Sequence, residues 1–268
     1  MPLPPDLEPV IEAAWVKARE VPGYIGYREF CALAMLHAGA CGDGVNVEIG
    51  SFQGKSTIAL AHLAAHYGLG PVVSVDPHDA PSGTDPALGD LPSSFDSFQS
   101  ALRSAGVEQY VEIHRARSAE VARGWNRPIR FLWIDGDHTW AGAKLDFDLF
   151  SPFLVDGAIV ALHDTLHEFE GPVRVFVEDI LRSDQFGLAG LFHTIGWARY
   201  CPREGPRFRR RRERLARRAA WLIPLVAGGR PVTGFAKTQW KLFCALIPHK
   251  VPSLHEWARL LASASDGC

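Results

Sequence analysis

The stretch Phe131-Leu132-Trp133-Ile134-Asp135-Gly136-Asp137-His138 decides how the rest of the chain is read. Four consecutive apolar residues suit a strand covered on both faces, which carries an unbroken hydrophobic run instead of an alternating one. The run stops at Asp135, so a carboxylate stands where the strand ends. In open α/β sheets, ligands bind in the crevice outside the carboxyl ends of the strands. A second apolar run, residues 157–162, ends the same way in His163-Asp164. Two neighbouring strand tips would then gather Asp135, His138, His163 and Asp164 into a volume the size of a metal site.

Outward from these two strands, apolar periodicity and turn residues mark the remaining elements. Helices are expected over residues 7–19 and 27–38, a first strand over 45–50, a glycine loop to Gly54 and a helix over 55–67. A strand at 72–75 ends in Asp76, and residues 80–91, dense in Pro, Gly and Asp, form a loop. Ser93 or Ser94 caps a helix running to 104. A strand at 110–114 and a helix at 118–123 lead back to the organising strand. Beyond it come helices over 139–150 and 173–182, and an antiparallel pair, 188–193 and 195–200, turning near Thr194. This alternation predicts an α/β fold: a Rossmann-like, doubly wound, mostly parallel sheet closed by an antiparallel strand. Three segments are expected: N-terminal helices over 1–44, the sheet domain over 45–200, and a C-terminal appendage over 201–268, with Trp240 and Trp257 as packing anchors.

The chain has 268 residues, 47% hydrophobic and 22% charged, with a formal net charge of −2. That is an ordinary globular composition, and no nucleic-acid partner is expected from it. Five scattered cysteines with no Cys-x-x-Cys pair suit a reducing compartment and build no disulfide or zinc framework. The N-terminus lacks the pattern of a signal peptide, and no apolar run approaches the ~20 residues of a membrane helix, so a cytoplasmic location is expected. Residues 207–218 hold eight arginines around Glu213, followed by an apolar run over 219–227. A basic stretch beside an apolar one has the composition of an interfacial anchor, so peripheral membrane contact through 207–227 is expected.

Glu48-Ile49-Gly50-Ser51-Phe52-Gln53-Gly54-Lys55-Ser56 admits three ligands. A Walker A loop needs four residues between its glycines, and here there are three. The dinucleotide fingerprint fails because Phe52 stands at its second glycine. Glu48 counts against both, since a carboxylate repels phosphate but suits a cationic ligand. S-adenosylmethionine, cationic at sulfur and amine, is such a ligand.

Here the chain resembles the class I methyltransferases, whose first motif is an acidic residue followed by x-Gly-x-x-x-Gly. The resemblance implies cofactor contacts from Glu48, Gly50, Ser51, Gly54 and Asp135, with Asp76 at the ribose hydroxyls and Ser118 at the adenine. Within that family the pattern is similar to the metal-dependent O-methyltransferases of the macrolide-sugar type. It implies a divalent ion, Mg²⁺ by preference, on Asp135, His163 and Asp164, with Asp137 as an alternative ligand and His163 standing where the family usually has a carboxylate. It implies His138 as the base that deprotonates a hydroxyl of a sugar or other small-molecule acceptor. A bound cation lowers an alcohol's pKa by many units, within reach of an imidazole. His78 and Asp79 are expected to border the pocket, and His193, Asp146 and Asp148 to serve the core or a solvated face. A homo-oligomer is allowed for. The competing readings are a P-loop-like nucleotide hydrolase, because residues 131–135 imitate a Walker B strand, and a non-catalytic membrane-surface module.

Overall fold

Residues Leu7–Ala18 (α1) and Tyr27–Gly39 (α2) precede the first strand, Val45–Ile49 (β1). Strand and helix then alternate through Lys55–Tyr67 (α3), Val72–Val75 (β2), Phe95–Ala105 (α4), Val111–His114 (β3) and Ser118–Ala122 (α5). Ile129–Ile134 (β4), Trp140–Phe150 (α6), Leu154–Leu162 (β5) and Glu170–Arg174 (α7) continue the series. Phe186–Phe192 (β6) and Ile195–Tyr200 (β7) form a hairpin, and Gly205–Ala219 (α8), Ile223–Val226 (α9), Gly234–Leu246 (α10) and Leu254–Ser265 (α11) follow. This computed structural model describes residues 3–79, 92–229 and 231–265, so the loop expected over 80–91 lies outside the described residues.

The seven strands make one sheet in the order β3-β2-β1-β4-β5-β7-β6. The first five are parallel, and β7 runs antiparallel to both of its neighbours. This is the expected doubly wound, Rossmann-like architecture. Register does the positioning: Ile49 pairs with both Val75 and Ile134, and Ile134 with Leu162. The next residues, Asp76, Gly50, Asp135 and His163, therefore leave the sheet side by side. The apolar runs explain the burial, since all of β1, β2 and β4 is buried beneath helices on both faces.

Three elements differ from the sequence reading. β5 starts at Leu154, because Gly157 bridges what looked like a break: it takes a φ of +85° and its carbonyl accepts from Cys41 N at 3.0 Å. The helix expected over 173–182 is a short α-turn and then a π-helical stretch, Val175–Leu181. Val175, Phe176, Val177, Ile180 and Leu181 are all buried, more apolar surface than the single stripe of an α-helix turns inward. Cys201 is disulfide-bonded, against the expectation of a fully reduced set, whereas Cys31, Cys41 and Cys244 are free.

The C-terminal segment packs into the same cores as the sheet domain. Trp257 is fully buried and donates its indole N–H to the Met35 carbonyl at 2.9 Å, and Trp240 is buried on the other side. The apolar half of the expected anchor also turns inward: Ala219, Leu222 and Val226 are fully buried. Among the described residues no helix is long and apolar enough to cross a membrane.

Arg212 shows that the basic run is not uniform. Its guanidinium, 1% exposed, donates to the carbonyls of Leu181 (3.2 Å), Gly205 (2.7 Å) and Phe186, and meets Asp184 at 3.3 Å. It ties α8 to the loop entering β6. Arg212→Ala should cost about 3 kcal/mol by stranding those carbonyls, a fall of roughly 6–12 °C in Tm. Arg211→Ala, exposed one residue earlier, should stay within about 0.5 kcal/mol; paired thermal melts check the contrast.

Candidate active site

The glycine loop turns between β1 and α3 under close constraint. Gly50 has a φ of +85°, and a Cβ there would lie 2.1 Å from the Asp135 carbonyl oxygen, so only glycine fits between the exits of β1 and β4. Gly54 caps α3 in the left-handed region, against the ring of Phe98. Asp76 braces the loop from the next strand tip: one carboxylate oxygen accepts from Ser51 N and Phe52 N, each at 2.8 Å, and the other from His78 N at 2.7 Å. The residue expected at the ribose is thus the loop's organiser, a role the sequence reading missed. The same bonds count against a phosphate loop, because the amides of Ser51 and Phe52 already serve a carboxylate.

Glu48 is fully buried in β1 and accepts from Ser51 Oγ at 2.9 Å and from Thr57 Oγ1 at 2.5 Å, both on Oε2. Its Oε1 is buried with no partner. Burial raises its pKa to about 7, opposed by hydrogen bonds from Ser56, Thr57 and Ser51. A buried carboxylate oxygen awaiting a donor, beside a glycine loop, fits an ammonium-bearing cofactor. His78 borders this cleft as expected, buried against Ser94 Oγ at 2.8 Å with its Nε2 unpartnered. Asp79 instead pairs with Arg117 on the surface at 2.9 Å. Ser118 opens α5 and hydrogen-bonds Asp146, whose burial raises its pKa to about 6.

The second half of the site lies at the tips of β4 and β5. Ligand atoms of Asp135, His138 and Asp164 lie within 4.8 Å of one another. His138 Nε2 stands 3.2 Å from Asp164 Oδ2 and 3.6 Å from Asp135 Oδ1, its ring stacked on Phe169 at 4.5 Å. Burial alone would lower its pKa, but the two carboxylates raise it to about 9. Gly171 lets α7 close on this loop, donating to the His138 carbonyl at 3.0 Å where a Cβ would clash with Thr139.

His163 does not join the three. It is buried one layer below, Nδ1 at 3.0 Å from Asp135 Oδ1 and Nε2 at 3.5 Å from Glu29 Oε1. Against its burial, Asp135, Glu29 and Asp164 raise its pKa well above the ordinary value. The ring, with carboxylates near both nitrogens, orients Asp135, and it is not among the three residues whose ligand atoms converge. Asp137, the alternative ligand, points away, accepting from Thr139 N at 2.8 Å at the start of α6. Glu29 of α2 is the residue the sequence reading missed. It is 6% exposed, accepts from Gly26 N at 3.1 Å and from Thr194 Oγ1, and faces His193 Nδ1 at 3.1 Å. Its one signal is an acid inside an otherwise apolar helix. His193, read as core or solvated face, is half-exposed at the far end of this chain of charges. Asp148 sits on the solvated face of α6, paired with Lys144.

Residues 47–165 match a family model described as a methyltransferase domain. Over that span the chain is similar to methyltransferase domains. The O-methyltransferase NovP superposes on it with a TM-score of 0.56 at 12% identity, over 73% of this chain and 98% of that one. Cofactor-bound Rv0187 from MTB does so with a TM-score of 0.50 at 17% identity, over 74% and 90%. At these identities the likeness establishes the fold. The glycine loop, Glu48 and Asp76 occupy one side of the row of strand tips, and Asp135, His138 and Asp164 the other.

Asp76→Ala should leave three backbone N–H groups without their acceptor, each such bond to a charged group contributing about 1.5–3 kcal/mol. S-adenosylmethionine affinity, measured calorimetrically, should fall at least ~tenfold, Tm should fall as those bonds are lost, and Asp76→Asn should lose less of both. Unaltered affinity in Asp76→Ala would remove the loop-bracing role.

Proposed function

We propose that the chain is an S-adenosylmethionine-dependent O-methyltransferase that activates a hydroxyl of a sugar or other small molecule beside Asp135, His138 and Asp164. The observation that carries this reading is one row of strand tips with two chemistries. A glycine cradle with an unpartnered buried carboxylate oxygen stands next to an imidazole between two carboxylates. The O-methyltransferase activity in the name of NovP supports the reaction class.

S-adenosylmethionine supplies, when bound, a methyl group on a positively charged sulfur. Glu48 would face its ammonium group, Asp76 its ribose, and the Gly50–Gly54 backbone would lie against it without side-chain interference. Asp135 and Asp164 would hold a divalent cation such as Mg²⁺ or Mn²⁺, which supplies Lewis acidity to the acceptor hydroxyl. The donor set fits: two converging carboxylates, both at strand tips, now balanced only by imidazoles. His138 Nε2 takes the hydroxyl proton as the acceptor oxygen gains the methyl group. His163, clamped by Glu29, keeps Asp135 aimed at the site.

Two pH-dependent outcomes follow from the charges. Glu48 titrates near 7 because it is buried, so it is largely protonated on the acid side of neutrality. An ammonium beside it favours the carboxylate, lowers that pKa and releases a proton on binding. S-adenosylmethionine affinity should therefore rise from pH 6 to pH 8 (an experimental range of about one unit either side of this value). Calorimetry in buffers of different ionisation enthalpy should detect the proton, and Glu48→Gln should abolish both effects. A pH-independent affinity would detach Glu48 from the cofactor.

His138 is a base only when neutral, and without a cation its carboxylates hold the proton up to about pH 9. A divalent ion on the same carboxylates disfavours the imidazolium, so the acidic limb of the pH–rate profile should lie lower in metal-loaded than in chelator-treated enzyme. His138→Ala should reduce turnover by ~10² or more with cofactor affinity nearly unchanged. Wild-type turnover in that variant would exclude His138 as the base, and full activity in excess chelator would exclude the ion.

A further inference from the structure

A groove of about 1310 Å³ runs along β6, the edge strand of the sheet. Its floor is apolar, built from Leu188, Leu191, Leu215 and Val251 with the indole of Trp197. Its walls carry Arg211, Arg214 and Arg218 from α8, Arg28 from α2, and Lys250 from the segment joining α10 to α11. Among the described residues no Asp or Glu lines it. Of the acids near α8, Glu204 pairs with Arg207 and Asp184 with Arg209 and Arg212, and Glu213 lies beside Arg210, Arg214 and Arg217 outside the groove. Arg214 and Arg218 reach only backbone carbonyls, of Arg210 at 3.3 Å and Leu246 at 3.4 Å.

Arginines three and four apart on one helix face repel one another by a few tenths of a kcal/mol per pair. Here they face a cavity, and Trp197 beneath it carries a second unmet demand. Trp197 is 2% exposed, yet its Nε1–H is buried with no partner, although buried indole donors usually find one. Planar guanidinium forks match the oxygens of phosphate, and an apolar floor takes a ring or hydrocarbon. The groove also lies close to the reaction centre. Its end residue His193 faces Glu29, which faces His163 beside Asp135. With strands about 4.8 Å apart, β6 lies roughly 10 Å from β5 across the sheet.

We propose that this groove binds a phosphate or diphosphate ester carrying an apolar group, and that it anchors the methyl acceptor by that phosphate. The anchoring role rests on the methyl-transfer reading; the binding does not. The test is calorimetric titration of the full chain, without S-adenosylmethionine, using uridine diphosphate as the soluble probe. In a parallel arm, phosphatidylglycerol–phosphatidylcholine vesicles are compared with phosphatidylcholine alone.

Uridine diphosphate binding assigns the phosphate to a soluble ester, and binding of anionic vesicles alone assigns it to a lipid; either supports the site. The double variant Arg211→Ala/Arg214→Ala should weaken binding at least ~tenfold, each lost arginine–phosphate contact being charge-assisted. Arg210→Ala and Arg217→Ala, outside the groove, should bind as wild type. The probe should also bind alongside S-adenosylmethionine, whose affinity the double variant leaves unchanged. Absence of binding in both arms, binding indifferent to the double variant, or competition with S-adenosylmethionine overturns the proposal. Failure of S-adenosylmethionine itself to bind sinks the methyltransferase reading and leaves the groove's own result standing.

Discussion

The backbone of Gly50 passes so close to the carbonyl of Asp135 that no side chain fits between them. Asp135 N donates to the Ile49 carbonyl at 2.8 Å and Gly50 N to that of Val75 at 3.0 Å, so three strand exits are stitched together at one point. This is where the strand order reverses direction from β1 toward β4, the place where open α/β sheets leave a crevice. Because the exits are level, the cofactor cradle of β1 and β2 and the polar cluster of β4 and β5 face one space. A bulkier residue at position 50 would separate the two halves of the chemistry.

The polar half is sustained by alternation of charge. Asp164, His138, Asp135, His163, Glu29 and His193 follow one another from the mouth of the site to the surface beside β6. An isolated buried charge is expensive, and removing one member of such a chain leaves its neighbours unpaired. Among the described residues, Phe52, His78, Asp164 and His193 adopt positive φ without being glycine. All four stand at the ends of strands that face the site. Local strain of this kind, of order 1–3 kcal/mol each, persists where the surroundings over-determine it and clusters at functional positions.

Helix α8 shows one residue type in several physical roles. Arg212 is buried and serves carbonyls, Arg209 pairs with Asp184 on the surface, and Arg211, Arg214 and Arg218 line a groove that contains no acid among the described residues. The helical period separates them, since 212, 215, 216 and 219 face the core. Composition alone read the run as one basic face beside an apolar anchor. Burial of Ala219, Leu222 and Val226 separates those two halves.

Much of the fold was legible in the sequence. Largely apolar runs ending in Asp76, Asp135 and His163-Asp164 located the buried parallel strands, because a strand covered on both faces is mostly apolar. The acid and glycine spacing from Glu48 to Gly54 marked the cradle, because only glycine takes such φ values at that close approach. Tertiary structure decided what depends on residues far apart in the chain. His163 meets Asp135 from below while His138 meets it from the open side, because Glu29, contributed by a helix near the N-terminus, faces the second ring nitrogen of His163. Gly157 continues a strand instead of ending it because Cys41 lies against it, a contact no local pattern records. Periodicity encodes which face of an element is buried; what waits on that face is set by partners brought in from elsewhere in the chain.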